Sequence, residues 1–142
     1  MAVTALDRAL HDDAQFWLEV NELDEVAAYG IAASLTDLEW DAVDALWRER
    51  PVAWQLCFAS TLGSAGPARA EGWLLEMIDG GDDELAIQAI EVFRELQRTR
   101  ERPTAVPPST IGRIRHLWRG RYRFSDAQLE SLLNDMACPR RP

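Results

Sequence analysis

The sequence predicts an all-α protein, a single domain of about seven or eight antiparallel helices. Three observations predict it. Apolar residues recur at intervals of three and four in almost every segment, the spacing that lines one helix face. Helix start signals stand in front of those segments: Thr36-x-x-Glu39, Pro51, Asp82 or Asp83, and Ser125-x-x-Gln128. The breaks between them are short and rich in Gly and Pro, so successive helices turn back on one another.

Leu6, Leu10, Phe16, Trp17, Val20 and Leu23 form the first apolar set. His11-Asp12-Asp13 interrupts it, with Asp12 or Asp13 expected to cap a new helix near Ala14. A second helix is expected from about Leu23 to Leu35, carrying Val26, Ala27, Tyr29, Ile31 and Ala32. Gly30 inside it costs about 1 kcal/mol relative to alanine, so a neighbour packs closely there or the helix bends. Thr36 and Glu39 make a capping box for a third helix, with Leu38, Val43, Leu46 and Trp47 inward and Trp40 near one edge. That helix ends at Arg50, because a residue before proline leaves the helical region.

Residues 50–96 are the most regular stretch. Pro51 suits a first helical position, where its missing N–H needs no partner. Trp54, Cys57, Phe58, Thr61 and Leu62 share a face, and Gly63-Ser64-Ala65-Gly66 ends the helix through a left-handed glycine. Pro67 starts the next helix, with Ala70, Trp73, Leu74, Met77 and Ile78 in register, and Gly80-Gly81 stops it. Asp82 or Asp83 caps a further helix whose buried side is Leu85, Ala86, Ala89, Ile90, Phe93 and Leu96. Paired helices of this kind are the pattern of an α-solenoid; an irregular bundle is the other arrangement. From Gln97 to Pro108 the chain is polar and proline-rich, the longest connection and the best candidate for a mobile loop. Ser109 or Thr110 caps a short helix with Ile111, Ile114, Leu117 and Trp118, and Ser125-Asp126-Ala127-Gln128 opens a last one with Leu129, Leu132, Leu133 and Met136. The domain is therefore drawn over residues 1–138, with 139–142 as a frayed tail.

A chain of 142 residues fits one domain, burying roughly 70% of its unfolded surface. No apolar run approaches the roughly 20 residues that cross a bilayer, and the N-terminus lacks the basic-then-apolar layout of a secretory signal. Two cysteines are too few for a disulfide framework; Cys57 reads as a reduced core thiol and Cys138 lies in the tail. These features fit a cytoplasmic protein. All 15 basic residues are arginine, which fits a genome rich in G and C.

Charge is uneven. Residues 1–50 hold 12 acids and 3 arginines, whereas residues 101–142 hold 4 acids and 8 arginines. The resulting field repels nucleic acid and favours a basic partner. The candidate partner-binding residues are Glu22, Asp24, Glu25, Asp37, Asp41 and Asp44, with Trp40 among them either as a hot spot rimmed by carboxylates or as core. Arg113, Arg115, Arg119, Arg121 and Arg123, interleaved with Trp118, Tyr122 and Phe124, are expected to pair with the acidic N-terminal third rather than with nucleic acid.

No catalytic, cofactor-binding or metal-ligating motif is present. His11 and His116 have no partner at metal-ligand spacing, and Walker, nucleophile-elbow and Cys-x-x-Cys patterns are missing. Gly80-Gly81 precedes a helix N-terminus, but Asp82, Asp83 and Glu84 would repel a phosphate there. The adjacent acids Asp12/Asp13, Asp24/Glu25 and Asp82/Asp83 point about 100° apart on a helix and read as caps and solvated faces. An enzyme would need His116 to meet Glu91 or Asp126 in a cleft.

The segments PVAWQLCFASTLG, RAEGWLLEMIDGG and DDELAIQAIEVFREL resemble the helix pairs of HEAT-type repeats, with Ala86 and Ala89 at the close-packing positions. The wider layout resembles the small acidic helical immunity proteins of bacterial polymorphic-toxin systems. That resemblance implies a non-enzymatic cytoplasmic protein that binds a basic toxin or nuclease domain and occludes it, with no cofactor, no membrane and no direct nucleic-acid contact. It carries no diagnostic motif, so no functional residue transfers from it. A general helical adaptor or assembly subunit, and an acidic nucleic-acid mimic, are the alternatives.

Overall fold

The computed structural model describes residues 2–20, 26–99, 105–121 and 131. Every regular element among them is helical: α1 (Ala2–Val20), α2 (Val26–Ala33), α3 (Asp37–Leu46), a 3-10 turn (Trp47–Glu49), α4 (Val52–Ala65), α5 (Ala70–Asp79), α6 (Asp83–Thr99) and α7 (Pro108–Arg121). The protein is all-α. It divides into two compact units, Met1–Ala70 and Glu71–Pro142.

In the first unit α1 packs against α2, α3 and α4, and α2 packs against α4. This is the arrangement of an irregular bundle, because α4 returns to the first helix. The break expected at His11–Asp13 does not occur. Val3, Leu6, Leu10 and Ala14 form one buried stripe through it, and an unbroken stripe is best buried by an unbroken helix. Asp12 and Asp13 therefore cap nothing, and Asp13 is buried in mid-helix. Phe16, expected inside, is 37% exposed and Trp17 is half-buried; Leu23 and the side chain of Val20 lie outside the described residues.

α2 is shorter than the expected span and buries Ala28 and Ala32. Among the described residues, nothing beyond Gly30's chain neighbours and its own helix backbone lies within 4 Å of where a Gly30 side chain would begin, so none of them packs closely there. The capping box of α3 forms in full. The Glu39 amide donates to Thr36 Oγ1 at 3.2 Å, and the Thr36 amide donates to Glu39 Oε1 at 3.0 Å. Two donors that the helix itself leaves unpaired are thereby satisfied.

The 3-10 turn continues α3, and Arg50 turns extended (φ −82°, ψ 154°) ahead of the proline, as its position demands. Pro51 occupies the position before α4, so the helix opens at Val52, one position later than expected. Gln55 fixes this junction. Its Nε2 approaches the carbonyls of Trp47 (3.1 Å), Arg48 (3.3 Å) and Arg50 (2.9 Å), groups that a helix end leaves open.

α4 is the centre of the unit, with Trp54, Leu56, Cys57, Phe58, Ala59, Thr61 and Leu62 all buried. Phe58 sits 5.1 Å from the Trp54 ring and 6.1 Å from the Trp47 ring, both tilted at 35°. Burial of each such ring contributes about 1.5–3 kcal/mol. The buried Thr61 hydroxyl donates to the Cys57 carbonyl at 2.9 Å, which removes the cost of enclosing it. The helix runs through Gly63 and Ser64 and ends at Gly66, whose φ is −80°. The left-handed stop is thus absent. Glycine is needed for space instead, since a side-chain carbon there would lie 2.8 Å from the Leu62 carbonyl oxygen.

In the second unit Trp73, Leu74, Met77 and Ile78 of α5 are buried, as are Leu85, Ala86, Ala89, Ile90 and Phe93 of α6, while Leu96 is half-buried. Asp82 is the cap between them, accepting the Leu85 amide at 2.8 Å. α6 continues past Leu96 to Thr99, and Gln97 on this extension is buried. The first three residues of the expected loop are therefore helical, and residues 100–104 lie outside the described residues.

α7 begins at Pro108, where proline is favoured, and the Pro107 carbonyl accepts the Ile111 amide at 3.1 Å. Neither Ser109 nor Thr110 is the cap. Thr110 is fully buried and donates to Asp79 Oδ2 at 3.0 Å. With Arg113, which reaches the Gly80 carbonyl and Asp83, it ties α7 to the turn joining α5 and α6. The final expected helix and the tail, Ser131 apart, lie outside the described residues.

Candidate functional site

The candidate binding residues converge on α3 only in part. Glu22, Asp24 and Glu25 lie outside the described residues. On α3 the buried stripe is Trp40 and Val43, continued by Trp47 in the 3-10 turn. Trp40 is 4% exposed, so it belongs to the core and is not a surface anchor. The face opposite carries Leu38, 80% exposed, followed by exposed Ala42 and Ala45 at helical spacing. Leu38 was expected inward with Val43. The spacing of Trp40, Val43 and Trp47 held the signal that could have found it outside, since position 38 falls opposite that stripe.

Asp37, Asp41 and Asp44 follow one edge of this outer face, at intervals of four and three. Two of them meet arginines. Arg69, from the turn after α4, donates to Asp41 Oδ1 at 2.6 Å and to the Asp37 carbonyl at 3.3 Å. Arg48 donates to Asp44 Oδ1 at 3.0 Å while its guanidinium lies 4.6 Å from the Trp47 ring centre. Both pairs are substantially solvated, and such pairs contribute about 0–1 kcal/mol each. Four carboxylates, counting Glu39, against two guanidiniums leave the face acidic.

A second polar cluster lies on the same unit. Arg50 grips Asp7 with two parallel hydrogen bonds of 2.9 Å, Nε to Oδ1 and Nη2 to Oδ2. His11 Nε2 lies 3.5 Å from Asp7 Oδ1, and the Trp54 indole donates to the Asp7 carbonyl at 3.4 Å. Burial opposes ionisation of Asp7, but the hydrogen bonds and charge of Arg50 outweigh it, with smaller help from His11 and Trp54. The carboxyl is held below its ordinary range. The bond to Asp7 likewise raises the Arg50 guanidinium. An aspartate kept ionised by a bidentate arginine is a poor proton shuttle and a good structural tie.

Arg48, Arg50 and Arg69 pair with Asp44, Asp7 and Asp41, whereas Arg113 pairs with Asp83 at 2.8 Å within its own unit. Arg115, His116 and Arg119 are exposed on α7; the side chains of Arg121 and Trp118, and all of Tyr122, Arg123 and Phe124, lie outside the described residues. Glu91 is exposed on α6 and Asp126 lies outside the described residues. Among the described residues no group of three or more His, Cys, Asp or Glu side chains could hold a metal ion, and no helix is long and apolar enough to cross a membrane. Cys57 is a buried thiol; Cys138 lies outside the described residues. A search of protein families, curated proteins and solved structures finds no match to the chain.

Proposed function

We propose that the protein is a non-enzymatic binding domain whose contact surface is the outer face of α3. Its partner is a basic protein domain, a bacterial toxin or nuclease that it occludes in the cytoplasm as an immunity protein. The observation that carries this reading is Leu38, 80% exposed beside an edge of carboxylates. A large apolar side chain in water gains on being covered, and a surrounding acidic edge steers a basic partner to it. The support beneath it is firm: the Thr36–Glu39 box fixes the helix start and Trp40, Val43 and Trp47 anchor its underside. Little ordering entropy is then lost on binding. Arg48 and Arg69 sit in solvated pairs, so a partner's guanidinium can exchange with either at small cost.

The adaptor reading uses the same surface with a different partner. The nucleic-acid mimic is disfavoured because Asp41 and Asp44 are answered by arginines, whereas a mimic needs its carboxylates uncompensated. The test is a pull-down from the source cell with a salt gradient, using wild type and Leu38→Glu side by side. A basic toxin or nuclease domain retained by wild type until high salt, and lost by a folded Leu38→Glu, is expected. Retention of only a housekeeping complex supports the adaptor instead. A complex indifferent to Leu38→Glu removes α3 as the contact surface.

A further inference from the structure

No further inference is drawn: the strongest candidate, the exposed apolar stripe of Leu38, Ala42 and Ala45 on α3, belongs to the site already described, and nothing in the structure shows what covers it.

Discussion

Replacing Asp7 by asparagine tests how the first unit is tied together. The substitution keeps shape and one carbonyl oxygen but removes the charge. Arg50 then loses one of two 2.9 Å hydrogen bonds and the ionic part of the other. Both side chains are about three-quarters removed from solvent, at 28% and 25% exposure, so water replaces the partner poorly. A hydrogen bond to a charged group contributes about 1.5–3 kcal/mol, which sets the expected loss near 2 kcal/mol at neutral pH. In urea, with a slope of about 2 kcal/mol per molar, the midpoint followed by circular dichroism falls by about 1 M. The pH dependence has a definite sign. Because folding lowers the Asp7 carboxyl from its ordinary value of 3.8, its contribution is complete above that value and is lost as pH falls through the folded one. The gap between wild type and Asp7→Asn therefore closes in acid, as pH falls from the ordinary Asp value through the lower folded one. A variant within about 0.5 kcal/mol of wild type at neutral pH, or a gap that persists unchanged near pH 3, refutes the reasoning.

Two glycines should respond in opposite directions. Gly30→Ala, on an exposed helical site with open space around it, raises stability by about 0.5–1 kcal/mol in thermal melts. Gly66→Ala pushes a carbon to 2.8 Å from the Leu62 carbonyl oxygen and lowers stability by about 1–3 kcal/mol; an unchanged melting temperature would show that the turn relaxes freely. Trp40→Ala empties a buried site and costs about 3–5 kcal/mol, whereas Leu38→Glu changes the melt by about 0.5 kcal/mol or less. Equal effects of the two would mean that the assignment of core and surface on α3 is wrong.

Local chemistry was the most legible part of the chain. Thr36 with Glu39, Asp82 ahead of Leu85, and Arg50 before Pro51 act within a few residues, and each behaves as its chemistry requires. Periodicity placed the buried faces of α4, α5 and α6, apart from Leu96, which is half-buried. Errors arose where a residue's type outweighed its position. Asp12 and Asp13 resembled a cap although the Leu6–Leu10–Ala14 stripe runs straight past them. Leu38 is apolar like Val43 yet lies on the opposite side of α3, and Trp40, flanked by acids in sequence, is core. Pairings between helices were illegible altogether. Asp7 and Arg50 are 43 residues apart, and Arg69 reaches α3 from 28 residues beyond Asp41. Spacing says which side of a helix faces inward, but not which other helix it meets.

The return of α4 onto α1 also bears on how the chain is made. At roughly 5–20 residues per second of synthesis, the 43 residues separating Asp7 from Arg50 take roughly 2–9 s to appear. Throughout that interval Leu6, Leu10 and Ala14 have no α4 to cover them. The nascent segment is then a stretch of chain with an open apolar side, the state in which chaperones bind and aggregation starts. With 12 acids against 3 arginines, residues 1–50 of neighbouring nascent chains carry like charge, which opposes their association before Trp54 and Phe58 are made.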